Sequence, residues 1–338
     1  MLQLIGRILI WLRGETLKLL LLAGVLLLLW GVLAPVGTLV WWLNQSAESL
    51  GLKRNQAKNL PPKERPTENG NSAKIDCYIV FLPGVGDFSA NELTPGEEFF
   101  LDRLVQFHPN CVVVSDVFPY SVVNKDLGGQ RFLSPLWRAA KDADGWLKNA
   151  DILIKIRNLW RFAISADERY GPIYNQGIAI AIIERMNAAH PIPQSPQQPL
   201  KIILIGTSGG AQVALGAVPY LERSLNPESI VVSVGGSFDG NTGFEAVDRV
   251  YHLQGDRDWV EDITRFLFAS RWRSTVGSPF NQARRQGRYI VVPSGPHAHD
   301  GAQGYFGTAS VGTSETTYVE LTLKKVNQLP IWSDRKSK

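Results

Sequence analysis

The residue with the clearest chemical potential in this sequence is Ser208, in the pattern Gly-x-Ser-x-Gly formed by residues 206–210. An apolar run at 202–205 precedes the pattern and a helical pattern at 211–225 follows it. A strand, a sharp turn and a helix are the setting in which this pattern presents a nucleophilic serine. The glycines permit a strained turn, and the helix N-terminus offers N–H groups where negative charge develops in acyl transfer. We therefore expect Ser208 to be a nucleophile.

The elements that must position Ser208 are predicted by short apolar runs alternating with helical patterns. The predicted strands are 77–82, 111–117, 202–205, 230–234, 250–253 and 289–292, and the predicted helices are 97–107, 177–189, 211–225, 260–271 and 318–329. The runs are continuous and rich in valine and isoleucine, as expected for strands covered on both faces. The order predicts an α/β protein with a doubly wound, mostly parallel sheet.

Two polar clusters follow later predicted strands: an Asp-rich segment at 256–258 and a His-rich segment at 297–300. With the Ser208 motif, they occur in the order nucleophile, acid, histidine, and residues 74–330 thus resemble the α/β-hydrolase superfamily of esterase-like and lipase-like serine hydrolases. The resemblance implies the α/β-hydrolase fold and acyl transfer by a catalytic triad. It implies no metal and no organic cofactor.

The resemblance implies that Asp258 is the acid of the triad, because residues 255–258 are similar to the Gly-x-x-Asp pattern that presents it. A carboxylate at this place would hold the tautomer of the histidine and stabilise the imidazolium. Asp256 remains an alternative if the turn is tighter, and Asp239 if the acid follows the preceding strand. Each of the three could also be a turn residue.

The resemblance also implies that His297 is the general base, because Gly-Pro-His at 295–297 is similar to the family's Gly-x-Gly-His turn. The chain has five histidines, and His299 stays an alternative base. A metal site at His297, His299 and Asp300 is not expected, because the spacing is unlike His-x-x-x-His. The loop at 83–87 resembles the family's oxyanion loop, which implies oxyanion donors at the backbone N–H groups of Val85 and Gly209.

The N-terminus predicts membrane attachment. Residues 19–43 carry no charge, and at about 1.5 Å per residue they exceed a hydrocarbon core of roughly 30 Å. We therefore predict a single-pass anchor at 1–43. Residues 44–73 are polar and contain several prolines, which predicts a flexible linker. Basic residues nearly balance across the span, so the side of the membrane stays open.

Composition limits the remaining functions. The net charge is +4, and no basic cluster is interleaved with aromatic residues, so nucleic-acid binding is not expected. Cys77 and Cys111 both begin predicted strands. They could be small buried side chains or form one bridge if the strands are neighbours. Two cysteines are too few for a disulfide framework or a structural zinc site.

The stretch between 117 and 202 is longer than one crossover requires, which predicts a helical insertion at about 120–170. Six apolar residues in it share one helical face: Ile152, Leu153, Ile156, Leu159, Trp160 and Ala163. Lys155, Asn158 and Arg161 occupy the other face. The helix could pack on the body through its apolar face. Alternatively, that face could belong to a lid or lie on a membrane.

Together these patterns predict a membrane-anchored serine hydrolase that cleaves an ester-type bond, with a hydrophobic or lipid-derived acyl group as substrate. The alternative is a non-catalytic scaffold with a hydrolase-like fold that binds a partner. Dinucleotide binding is disfavoured, because Gly84 and Gly86 are followed by Ser89 where a third glycine belongs.

Overall fold

A six-stranded sheet organises the part of the chain that the structure describes. The structure, a computed structural model, describes residues 75–86, 93–120, 151–193 and 199–332. All of them belong to one compact unit, Arg54–Lys338. The predicted anchor at 1–43, the linker at 44–73 and the first part of the insertion lie outside the described residues. Among the described helices, none has the length and apolar character needed to cross a membrane.

The sheet is parallel throughout, with strand order β2-β1-β3-β4-β5-β6. Its strands are β1 Cys77–Leu82, β2 Cys111–Val114, β3 Lys201–Thr207, β4 Glu228–Val234, β5 Arg249–Arg257 and β6 Tyr289–Ala298. The described helices are α1 Pro95–Phe107, α2 Asp151–Ala166, α3 Gly171–Ala189, α4 Gly210–Leu225, α5 Trp259–Leu267, α6 Pro279–Arg285 and α7 Tyr318–Asn327. Short 3₁₀ helices occur at Ala269–Arg271 and Gly301–Gln303. The prediction of an α/β protein with a parallel sheet is confirmed.

Helices cover both faces of the sheet, and this explains why its strands read as continuous apolar runs. Ile79 and Phe81 of β1 point into a core shared with α1 and α7. Tyr78, which alternates with them along the strand, donates a hydrogen bond to the His190 carbonyl at the end of α3. Helix α4 packs against α3 and against β3 and β4. Because all six strands are parallel, their carboxyl ends meet at one edge of the sheet.

The first two strands are joined covalently. Cys77 and Cys111 are register partners of β1 and β2, and their sulfur atoms form a disulfide with the Cα atoms 4.6 Å apart. The sequence left two interpretations open for these residues, and the structure favours the bridge between neighbouring strands.

The last two strands extend further than the sequence predicts. β5 continues to Arg257 and β6 to Ala298, with irregular pairing on both sides of Gly255. Gly255 faces Gly295, and a Cβ on Gly255 would lie 2.4 Å from the carbonyl oxygen of His297. This close approach requires a glycine. The polar residues after 292 are therefore strand residues rather than a turn.

The predicted apolar face of α2 is only partly buried. Leu159 is 53% exposed and Ala163 is also exposed, whereas Ile156 and Trp160 are half-buried and Phe162 and Ile164 of the same helix are buried. The interpretation of α2 as a helix packed through its apolar stripe is wrong for Leu159 and Ala163. The side chains of Ile152 and Leu153 lie outside the described residues.

Candidate active site

Ser208 occupies the sharp turn between β3 and α4. Its φ angle of 48° places it in the left-handed region, which is rare for a residue with a side chain. A Cβ on Gly206 would lie 2.6 Å from the backbone of Ala211, and one on Gly210 would lie 2.3 Å from the carbonyl oxygen of Leu82. Positions 206 and 210 must therefore be glycine. The Ser208 N–H donates to Val234 O at 3.2 Å, which fixes the turn to the end of β4.

The side chains of Ser208, His299 and Asp258 form a continuous hydrogen-bonded chain. The Oγ of Ser208 lies 3.0 Å from Nε2 of His299. The Nδ1 of His299 lies 3.0 Å from Oδ1 of Asp258. This is the connectivity of a nucleophile, a base and an orienting acid. Ser208 and Asp258 are predicted site residues that the structure brings together, and the histidine between them is the predicted alternative, His299.

The carboxylate of Asp258 accepts hydrogen bonds from two groups besides His299. Asp258 is the N-cap of α5, where Oδ1 accepts from the Val260 N–H at 3.0 Å. The hydroxyl of Tyr305 donates to Oδ2 at 2.8 Å and accepts from the Gly255 N–H at 2.8 Å. Burial raises the pKa of Asp258. The hydrogen bond and charge of His299, together with the hydrogen bonds from Tyr305 and Val260, lower it by a larger amount. The net pKa lies below its ordinary value, so the carboxylate is ionised at neutral pH.

The structure places His297 away from Ser208, which corrects its assignment as the base. His297 is fully buried, and its Nε2 lies 3.0 Å from both the Tyr318 carbonyl oxygen and the Thr322 hydroxyl oxygen. Its ring stacks on that of Tyr305 at 5.0 Å. Burial lowers its pKa, although backbone hydrogen bonds oppose this. His297 is a strand residue because β6 runs to Ala298, and the turn that presents a histidine begins at His299.

The two alternative acids lie elsewhere. Asp256 is exposed at the end of β5. Asp239 is buried, and its carboxylate accepts hydrogen bonds from the N–H groups of Asn241 and Thr242 and from the Thr242 hydroxyl. Burial raises the pKa of Asp239, and these hydrogen bonds partly offset the rise. Asp239 is therefore a turn residue whose carboxylate accepts hydrogen bonds from its own loop.

The predicted oxyanion residues lie side by side. A Cβ on Gly209 would lie 2.7 Å from Cγ1 of Val85, so the loop after β1 touches the start of α4. Two buried side chains fix that loop. The hydroxyl of Tyr120 donates to Pro83 O at 3.1 Å, and Nδ2 of Asn158 donates to Val85 O at 2.9 Å. Asn158 thus ties α2 to the oxyanion loop, a role that its position on the predicted polar face of a surface helix did not suggest.

A cavity of about 640 Å³ opens beside Ser208. Its lining includes Ser208 and His299, the loop residues Val85 and Gly86, and Lys155 of α2. A volume of this size lies in the range of small-molecule sites. The arrangement can place a carbonyl group between the Ser208 hydroxyl and the backbone of the oxyanion loop.

A second buried polar cluster, which we call the α5 clamp, comprises Ser233, His252, Glu261 and Arg271. Nη2 of Arg271 donates to Oε1 of Glu261 at 2.6 Å, and Nε2 of His252 lies 3.4 Å from Oε2 of Glu261. Nδ1 of His252 lies 2.9 Å from Oγ of Ser233. Burial raises the pKa of Glu261. The hydrogen bonds and charges of His252 and Arg271 lower it by a larger amount, so the net pKa lies below its ordinary value.

The clamp fixes α5, the helix that carries Asp258 at its start. The sequence offered one unused signal for it, a glutamate three residues after Asp258, the N-cap of α5. Across the described residues, no group of three or more His, Cys, Asp or Glu side chains is arranged to hold a metal ion.

Comparison with models of protein families, with curated proteins and with solved structures gives no significant match for this chain.

Proposed function

We propose that this protein is a serine hydrolase that cleaves an ester-type bond through an acyl-enzyme, on an α/β-hydrolase fold. One observation carries the proposal: the Ser208–His299–Asp258 hydrogen-bonded chain at the mouth of a cavity. The chain order of the three residues is that of α/β-hydrolases, and Ser208 has the strained turn of their nucleophile. The parallel sheet brings the three loops to one edge.

In the proposed reaction, the Ser208 hydroxyl attacks the substrate carbonyl while Nε2 of His299 accepts its proton. Asp258 holds the Nδ1–H tautomer and stabilises the imidazolium. The oxyanion of the tetrahedral intermediate faces the N–H groups of Val85 and Gly209. His299 then protonates the leaving alkoxide. Water, activated by the same histidine, releases the acyl group and restores Ser208.

We further propose that residues 1–43 anchor the enzyme in a membrane by a single span. A membrane-held enzyme meets hydrophobic acyl substrates at high local concentration, which favours a lipid-derived or long-chain ester. The substrate class is tested by comparing 4-nitrophenyl esters of increasing chain length, with the full chain in detergent micelles. A preference for acetate over all longer esters would contradict this substrate class.

The central test is labelling of the full chain with a fluorophosphonate probe. A serine hydroxyl is a poor nucleophile without an adjacent base, so Ser208→Ala and His299→Ala should both abolish labelling. The double variant should be no worse than either one, because triad members act as a unit. His297→Ala is the matched control from the same strand end, and it should retain labelling if it folds.

Thermal unfolding of each variant separates loss of chemistry from loss of structure. A folded wild-type chain that does not label would support the non-catalytic scaffold instead. Labelling that survives His299→Ala but not a folded His297→Ala would return the base to His297.

A further inference from the structure

Helix α5 turns its polar residues towards the protein and its apolar residues towards solvent. Glu261 and Thr264 are its buried residues. Trp259, Ile263 and Phe266, at spacings of four and three, lie on one exposed face, and Phe266 is 77% exposed. Most surface helices have the opposite arrangement. An exposed apolar stripe of this kind marks a contact with something outside the folded domain.

The exposed face continues beyond the helix. We call the whole surface the α5 patch; its members are Trp259, Ile263, Phe266, Leu267, Trp272 and Val276. The indole N–H of Trp272 donates to the carbonyl oxygen of Arg265, which holds this ring against the second half of α5. At the other side, Phe268, which follows the end of α5, contacts the buried ring of Phe162 of α2.

The exposed charges of the segment 259–285, which carries the α5 patch, are predominantly positive. Within 259–285, the exposed charged side chains are four arginines and one aspartate: Arg265, Arg273, Arg284, Arg285 and Asp262. The acidic Glu261 and the basic Arg271 of the same segment are buried against each other. Only one arginine of the four, Arg265, is paired with Asp262. The segment thus combines exposed apolar side chains with an excess of exposed cations.

We propose that the α5 patch docks onto the surface of a lipid bilayer, with its apolar side chains among the acyl-chain ends of the headgroup region and its arginines on anionic headgroups. A helix with one aromatic and aliphatic face, flanked by basic residues, has the composition of interfacial membrane helices. Tryptophans at both ends of the patch suit the same interface. A protein partner would need acidic groups opposite the arginines, whereas an anionic bilayer supplies them without specific geometry.

Docking through α5 would also place the catalytic edge of the sheet at the membrane, because Asp258 is the N-cap of this helix. The inference goes beyond the proposed hydrolase function and does not depend on Ser208 being reactive. It uses the predicted anchor only as a reason for the domain to meet a bilayer.

The test places one environment-sensitive fluorophore on the patch of the full chain. Both native cysteines are paired and buried, so an introduced cysteine is the accessible thiol among the described residues. Phe266→Cys is labelled with a nitrobenzoxadiazole dye and the chain is reconstituted into vesicles of phosphatidylcholine with phosphatidylglycerol. Spin-labelled lipids should quench this dye. The matched control is Phe107→Cys, which is 52% exposed and lies where α1 leads into the amino end of β2.

A second set of variants measures the strength of docking. With the dye on Val276→Cys, the pair Phe266→Ser and Leu267→Ser should lower the docked-to-undocked ratio by about tenfold or more, because two exposed apolar anchors are lost. The matched change Phe107→Ser should leave the ratio unchanged. Phosphatidylcholine alone or high salt should weaken quenching, because the arginines lose their partners.

Equal quenching at positions 266 and 107, or none at 266, would overturn the proposal. A dye at 266 that is shielded only as the protein-to-lipid ratio rises would show a second copy of the chain on the patch, and would also overturn it. Fluorophosphonate labelling of the same samples separates the two proposals. Lipid quenching without labelling contradicts the hydrolase function alone, and labelling without quenching contradicts docking alone.

Discussion

Helices α4 and α5 each follow closely on a residue of the candidate triad, yet different forces hold them. α4 follows Ser208 and is buried along nearly its whole length by apolar side chains such as Val213 and Leu221. α5 follows Asp258 and is fixed through the buried pair Glu261 and Arg271. Core packing positions the helix after Ser208, whereas a small polar cluster positions the helix after Asp258. The difference leaves the apolar face of α5 available for contact outside the protein.

We expect the largest effect from a change at Asp258, whose carboxylate lies at the N-terminus of α5. Asp258→Asn should lower turnover of a soluble ester by about 10⁴, because the amide favours the wrong tautomer of the histidine. The control is Asp256→Asn, an exposed carboxylate two residues earlier that should change turnover little. An Asp258→Asn variant that keeps most of the wild-type turnover would show that α5 does not carry the acid.

The next effect concerns the α5 clamp. Arg271→Met should lower the free energy of unfolding by about 3–5 kcal/mol, since it leaves Glu261 buried without its cationic partner. The nearby exposed Arg273→Met should have almost no effect on stability. Chemical denaturation of the full chain in micelles measures both. Equal stability of the two variants would mean that packing, as in α4, holds α5.

Helix α4 provides the matched test of packing. Leu221→Ala should cost about 2–5 kcal/mol of unfolding free energy, because this fully buried side chain leaves a cavity behind. Leu267→Ala on α5 should cost far less in micelles, because this side chain is 65% exposed. Similar losses in the two variants would show that the α5 patch is covered within the folded chain.

The smallest effect is a change in pH dependence. The pKa of Glu261 in the folded chain lies below its ordinary value, which is about 4.3 in unfolded peptides. Its contribution to stability is therefore present above that unfolded value and is lost as the pH falls through the folded pKa. Glu261→Gln removes this titration, so unfolding free energy should fall less steeply below about pH 4.3. An unchanged slope would exclude Glu261 as a coupled carboxylate.

The fold was largely predictable because its strands are buried on both faces and its helices alternate with them. Ser208 and Asp258 were predictable from local patterns. The sequence predicted His297 as the base, whereas the histidine beside Ser208 is His299, two residues later. The sequence did not show this because the pairing of β6 with β5 past Gly255 depends on a contact between distant segments. Tyr305 and Asn158 touch the site only through the tertiary fold. Hydrophobic periodicity identified the apolar stripe of α2, but it did not predict that Leu159 and Ala163 of that stripe are exposed.

The Cys77–Cys111 bridge bears on the compartment in which the domain folds. Bridges between neighbouring strands form and persist in oxidising compartments, whereas the cytosol keeps thiols reduced. We therefore expect the domain that carries the bridge to fold outside the cytosol. Alkylation of the denatured chain from intact cells should then modify neither cysteine until a reductant is added. With the proposed anchor and hydrolase function, an ester substrate would belong to the exported leaflet or the space beyond it.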